Sequence, residues 1–451
     1  MINFSLKKFH GIIFLLAVTL AVLVRLLYIT YAGGAITIEP DSQGYYSAGN
    51  FFTEDFLHNY FNTNRIPGYA MFTSLVISAT GHGHPPYLSG KFFNGARSII
   101  IVQTIAGVAG LIILYDLLLA IGISRAARVL FTLFTGLNIY QFIWEHAFLT
   151  TALFITFVTI ILRLFVSLLK KPAARTGGLF IAASVSAFLL RPAGLVIPFI
   201  LLPFVWLRHK TKKVFILIAT LLCVYSAVPG SHIAMNRWLY NFKGLSINTD
   251  FAVFGRILRF NIPVDAASSV HPLYDEVVSY RAAGGNISIP WYFFVAYNNE
   301  IYSRMDELKA FDRLVLQHQF PEFTKTMIGD IPGAFSDTDV SGVLYRAGRP
   351  GITRSFFDTL VRIYASIQKM SVIFLILFPC SVWLYIKKQS VLHTFLLAVG
   401  LMEMYQLVST LVYGGSWDMA GHMITTQTYL FFFCFWWVGR TISWIRRHVI
   451  Q

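Results

Sequence analysis

Residues 12–31 read IIFLLAVTLAVLVRLLYITY, an apolar run interrupted by one charge, Arg25. A helix rises about 1.5 Å per residue, so this run is long enough to cross a hydrocarbon layer of roughly 30 Å. Lys7 and Lys8 precede it, as they would a signal peptide. The apolar core, however, exceeds the roughly 7–15 residues of a signal h-region and contains an arginine. The run is therefore a first membrane span.

Further apolar segments follow at Ser98–Leu119, Val129–Ile143, Ala147–Leu169, Gly178–Leu190, Leu195–Leu207, Val214–Val228, Val361–Ile386, Val391–Val412 and Met423–Val438. The expectation is an all-α polytopic membrane protein with about ten spans. Composition agrees, with 56% of the 451 residues hydrophobic and 13% charged, against roughly 25% charged in soluble domains. The three cysteines, Cys223, Cys380 and Cys434, fall inside apolar segments and imply no disulfide framework.

A net charge of +15 could suggest nucleic acid, but its placement argues otherwise. The basic residues cluster between apolar runs: Lys7/Lys8, Arg125/Arg128, Lys170/Lys171/Arg175, Arg208/Lys210/Lys212/Lys213, Lys387/Lys388 and Arg440/Arg446/Arg447. With the N-terminus inside, every cluster lands on the cytoplasmic side, as the positive-inside rule requires, and both termini are cytoplasmic. This topology needs a turn at Arg191-Pro192-Ala193-Gly194. Proline removes a backbone donor there, and an arginine at mid-membrane would cost about 2.5–3.5 kcal/mol or more.

The chain then divides into an N-terminal transmembrane module, 1–230, a large outward loop, 231–360, and C-terminal transmembrane helices, 361–451. The first outward loop, 32–97, is expected to carry interfacial helices, and the second to be partly helical. Thirteen of the 21 acidic residues lie between Pro229 and Leu360, so carboxylate chemistry is expected outside. The chain shows no internal repeat and no Gly-rich phosphate loop.

Candidate chemistry is densest in Glu39-Pro40-Asp41-Ser42-Gln43-Gly44-Tyr45-Tyr46. Two carboxylates this close can share a divalent cation, or one can act as general base. The competing reading is an acidic, solvated loop end. Arg65 stands before Ile66-Pro67-Gly68-Tyr69, where a guanidinium can fork onto a phosphate. Arg191 is a second clamp of this kind, or it snorkels to the headgroups.

Glu145-His146, between the third and fourth segments, can orient substrate or bind metal; alternatively Glu145 caps the fourth helix. Asp418 and His422 have one-turn spacing, which favours a structural pair. His82-Gly83-His84 is a weak metal clip. Glu403 must face the protein interior.

The order of these motifs, Arg25-Leu26-Leu27-Tyr28, Pro40-Asp41-Ser42-Gln43-Gly44-Tyr45, Arg65-Ile66-Pro67-Gly68-Tyr69, Val102-Gln103-Thr104, Glu145 and Leu190-Arg191-Pro192-Ala193-Gly194, resembles bacterial protein-mannosyltransferase-like and aminoarabinose-transferase-like enzymes of the membrane glycosyltransferase C superfamily. The chain departs from that pattern at Ser42, Ala193 and Gly421-His422.

The resemblance implies an inverting transfer of sugar from a polyprenyl-phosphate donor to an acceptor hydroxyl, and the lack of a large soluble C-terminal domain favours a lipid or glycan over a protein as that acceptor. The reaction would run at the outer face of the bacterial inner membrane. Asp41 would be the base. Arg65, Arg191, Arg256 or Arg259 would hold the phosphate, with Tyr45, Glu145, His146 and His422 lining the substrate site. A divalent cation would fall to Glu39 and Asp41. The rival functions are a lipid-linked glycan transporter or flippase, a membrane glycan polymerase or ligase, and a non-enzymatic assembly subunit.

Overall fold

A computed structural model of the chain describes residues 2–32, 37, 40–48, 61, 66–80, 85–269, 273–285, 293, 304–336, 351–413 and 419–448. Glu39, Arg65, His82, His84 and Asp418 lie outside the described residues, and for Asp41 and His422 only the backbone is described.

Every one of the ten apolar segments is helical. They are carried by α1 (Ile2–Tyr31) and, after α2 (Pro40–Ala48) and α3 (Gly68–Ala79), by α4 (Gly90–Ala120), α5 (Arg125–Gly136) with α6 (Ile139–Glu145), α7 (Thr151–Lys170) and α8 (Ala174–Leu190). A short 3-10 turn, Pro192–Val196, leads into α9 (Ile197–His209), followed by α10 (Lys212–Tyr240). Among the described residues, seven helices are long and apolar enough to cross a membrane, or eight if the bent pair α5–α6 counts as one span. The protein is an all-helical polytopic membrane protein.

Three boundaries differ from the sequence reading, each for a local reason. The third segment is not one rod but bends by 50° between α5 and α6. Asn138 sits in the break and caps α6 by accepting from Tyr140 N at 3.2 Å. Helix α4 starts at Gly90 rather than Ser98, because Ser89 accepts from Phe92 N at 3.2 Å. Helix α10 runs through Pro229 and ends only at Tyr240, where Asn241 adopts φ 51°, a conformation that stops helices. Proline removes one hydrogen bond, and the helix absorbs that loss here.

The turn at Arg191 is present. Gly194 lies so close to the Ala187–Phe188 peptide that a Cβ would sit 2.7 Å from Phe188 N. Seven residues of continuous helix would separate these positions by about 10 Å. The chain therefore folds back on α8, and Tyr225 of α10 fixes the turn by donating to the Gly194 carbonyl at 3.1 Å.

The centre of the bundle is α7, 72% of whose apolar stretch is buried. It packs on α4, α8 and α9, and on two late helices, α16 (Val391–Tyr413) and α17 (Met419–His448). Between them and α10 come α11 (Asn248–Arg259), α12 (Leu273–Ala282), α13 (Met305–Ser336), α14 (Ile352–Met370) and α15 (Phe374–Lys387). Helices α11–α13 close a second core around Phe254, Leu258, Phe293, Leu308 and Phe311. Glu403 on α16 is buried inside the bundle, as an ionisable side chain within a span requires, and accepts from Thr426 Oγ1 at 2.9 Å.

Candidate functional site

The end of α1 is anchored by a charge. Arg25 is fully buried and its Nε and Nη2 donate to Glu145 Oε2 and Oε1 at 2.8 and 3.0 Å. Its Nη1 donates to the carbonyls of Gly136 and Ala21 at 2.8 and 3.2 Å. The guanidinium also lies 4.6 Å from the Phe142 ring. A lone arginine is costly in lipid, so this set of acceptors is what permits it.

Glycines make the approach possible. A Cβ on Gly107 would overlap Glu145 Oε1, and one on Gly136 would come 2.8 Å from Ala21 Cβ. Glu145 therefore does not cap α7. Thr150 flanks the start of that helix, and the carboxylate of Glu145 faces Arg25.

From Glu145 a hydrogen-bond chain runs outward. Gln103 Nε2 donates to the carbonyls of Glu145 and Ala147 at 2.7 and 3.1 Å. Its Oε1 accepts from the buried Tyr69 hydroxyl at 2.8 Å. The Tyr69 ring meets Tyr45 edge-on at 5.1 Å. The amide ties α4, the α6–α7 turn and α3 together, and the ring contact adds α2.

The segment after α1 is stitched to the same turn. Thr37 N donates to the His146 carbonyl at 2.8 Å, and Phe148 N donates to the Thr37 carbonyl at 3.0 Å. Ser42 Oγ in the first turn of α2 donates to the Phe148 carbonyl at 3.1 Å. Tyr46 donates to the Pro85 carbonyl. The backbone of Asp41, between Pro40 and Ser42, is thereby held beside the 146–148 turn.

Arg191 completes the cluster. Its Nη1 lies 3.4 Å from Thr151 Oγ1, in the first turn of α7, and its guanidinium is 6.0 Å from the Phe154 ring. Gly68 connects the two halves: a Cβ there would lie 2.5 Å from the Leu189 carbonyl. The Ile66-Pro67-Gly68-Tyr69 turn therefore packs on the end of α8, two residues before Arg191. A half-buried guanidinium beside a helix N-terminus favours an anion.

Of the residues singled out from sequence, the structure gathers the Asp41 backbone, Tyr45, Glu145, His146 and Arg191 at one end of the bundle. His146 is buried, and its Nδ1 lies 2.7 Å from the Phe142 carbonyl, which fixes the proton there. Its Nε2 is buried with no hydrogen-bond partner among the described residues.

Arg256 and Arg259 lie on α11, which packs the second core, Arg256 buried and Arg259 half-buried. Arg256 is held by Asp330 and Thr326 at 2.8 and 3.1 Å. Burial lowers its proton affinity, and Asp330 offsets that only in part. Arg259 stacks 5.4 Å from the Phe260 ring. No group of three or more His, Cys, Asp or Glu able to hold a metal occurs among the described residues.

Sequence reasoning gave no role to Gln103, Gly107 or Gly136, and did not pair Arg25 with Glu145. A signal existed: an arginine within a span needs a counter-charge at its own depth. Glu145, at the end of another apolar segment, was one acid that could supply it.

No protein-family model matches the chain, and no curated protein does. Solved structures with a similar arrangement include the archaeal oligosaccharyltransferase AglB from Archaeoglobus fulgidus, in complex with an inhibitory peptide and a dolichol-phosphate. That similarity has a TM-score of 0.46 at 12% identity, over 94% of this chain and 50% of that one. ArnT from Cupriavidus metallidurans, bound to undecaprenyl phosphate, gives a TM-score of 0.36 at 15% identity, over 91% of this chain and 77% of that one. The chain thus spans half the length of the AglB structure.

Proposed function

We propose that the protein is an inverting membrane glycosyltransferase that moves a sugar from a polyprenyl-phosphate donor to an acceptor hydroxyl. The reaction takes place at the outer face of a bacterial inner membrane, and the acceptor is a lipid or glycan. The observation that carries this reading is the convergence of the α2 helix bearing Asp41, the 66–69 turn, the 145–148 turn and Arg191. These segments come from distant parts of the chain, and the sequence motifs that resemble glycosyltransferases are the ones that meet.

In the proposed reaction Asp41 takes the proton of the acceptor hydroxyl. The oxygen attacks the anomeric carbon, forming one C–O bond as the C–O bond to phosphate breaks with its electron pair. Arg191 and the N-terminus of α7 stabilise the departing phosphate. Arg65, Tyr45, His146, Arg259 and His422 are carried as substrate contacts, and Glu39 as a partner of Asp41 for a divalent cation; Glu145, both of whose carboxylate oxygens are taken by Arg25, and Arg256, held by Asp330 and Thr326, are left with structural roles instead of the substrate roles expected of them. The carrier is anchored in the membrane, so no nucleotide site is needed.

The test is Asp41→Asn, assayed with polyprenyl-phosphate sugars in proteoliposomes. The expected result is an inserted, folded protein without transfer; retained turnover refutes the assignment. Lipid movement across the vesicle without a new glycosidic bond would support a transporter instead.

A further inference from the structure

Helices α5 and α17 hold a second feature outside the residues of the candidate site. Between α5 and α17 lies a cleft of about 390 Å³ lined by Ala127, Leu130, Phe131, Phe134, Phe435 and Trp436, among others. Its volume falls in the roughly 300–1,000 Å³ range of ligand sites. The walls are aromatic: Phe131 meets Phe432 at 5.5 Å and Phe134 meets Phe435 at 5.2 Å, both edge-on.

Two arginines touch residues that line this cleft. Arg440, exposed, stacks 5.3 Å from the Trp436 ring. Arg128, half-buried, donates to the carbonyl of Ile123, another lining residue, at 3.0 Å, and lies 5.2 Å from the Tyr115 ring. Neither guanidinium takes part in an ion pair among the described residues. The nearby acid Asp116 is engaged by Arg163.

An apolar slot whose lining residues Ile123 and Trp436 each carry a guanidinium contact suits an acyl chain joined to a phosphate. We propose that this cleft binds an anionic phospholipid of the leaflet at the basic end of the bundle. The acyl chain lies against Phe131, Phe134 and Phe435, and the phosphate lies between Arg128 and Arg440. Basic pockets between spanning helices recognise anionic headgroups in this way. The site shares no lining residue with the candidate active site and holds whether or not the protein transfers sugars.

The test uses the full chain in nanodiscs of phosphatidylcholine alone, or of phosphatidylcholine and phosphatidylglycerol in equal parts. Lipid retained after detergent exchange is read by native mass spectrometry. The wild type should keep phosphatidylglycerol in preference to phosphatidylcholine.

Ala127→Trp fills the slot and leaves the arginines, while Arg128→Gln with Arg440→Gln leaves the slot and removes the charges. Each should weaken retention about tenfold or more, a difference of about 1.4 kcal/mol. Leu130→Trp, at a more outward position of the same wall, serves if Ala127→Trp does not fold. Leu179→Trp, on an exposed face of α8, should keep the lipid. Equal retention of both lipids, or undiminished phosphatidylglycerol in the filled-slot variant, overturns the proposal.

Discussion

Arg25 Nε and Nη2 grip both oxygens of Glu145 at 2.8 and 3.0 Å, across 120 residues of sequence and with both side chains fully buried. The pair joins the first span to the turn against which the Asp41 helix is pinned. Its geometry is the two-pronged form that gives arginine–carboxylate contacts their directionality.

Breaking this pair on one side strands a charge away from water. Glu145→Leu is expected to cost about 3–5 kcal/mol, whereas the double variant Arg25→Met/Glu145→Leu should recover most of that loss. Thermal unfolding in detergent checks both. A single variant as stable as the wild type would mean the pair is not an anchor.

Much of the architecture can be read directly from the chain, because a run such as 12–31 has few fates other than crossing a membrane. The turn at Arg191 was legible too, since proline and arginine both disfavour mid-membrane helix. The bend at Asn138 was not, because its cap is local and lies inside an apolar stretch. The length of α10 was misread for the opposite reason, Pro229 being a breaker signal that the helix tolerates. Within the site, the motif residues were visible as types, but their meeting was not. Gln103 is one polar residue in an apolar helix, and only the fold reveals that it bonds Tyr69 and the 145–147 carbonyls together.

That amide gives a second prediction. Gln103→Leu leaves the Tyr69 hydroxyl and the Glu145 carbonyl without their partner in a buried place, at a cost of about 1–3 kcal/mol. Beyond stability, the α2–α3 region should loosen, because Tyr69 then loses its tie to α4. Hydrogen exchange at residues 40–48 and 66–79 should accelerate relative to the α7 core. Uniform exchange in the variant would show that Gln103 does not organise the site.

Arg191 is tested by comparing two replacements. Under the proposed function, Arg191→Ala removes a donor aimed at the leaving phosphate and should lower kcat/KM roughly 10²-fold. Arg191→Lys keeps the charge but not the planar fork, so it should recover only part of the loss. Unfolding temperatures near that of the wild type would separate this from a packing defect. Equal activity in all three proteins would remove Arg191 from the phosphate site.

Arg256 and Arg259 are three residues apart on α11 and both lie against Phe260, yet their surroundings predict opposite behaviour. Arg256 has a side chain only 1% exposed and bonds Asp330 at 2.8 Å. Arg256→Gln leaves that carboxylate facing a neutral amide and should destabilise the α11–α13 core by about 2–3 kcal/mol, short of a fully buried pair because Asp330 is 18% exposed. Arg259 is half-buried, and its Nη1 is shielded with no hydrogen-bond partner among the described residues. Arg259→Gln should therefore change stability by no more than about 0.5 kcal/mol. If Arg259 is a substrate contact, its effect will appear in the KM for the lipid donor instead. Denaturation of the two variants side by side decides the matter, and a larger loss for Arg259→Gln would invert the assignment of structural and binding arginine.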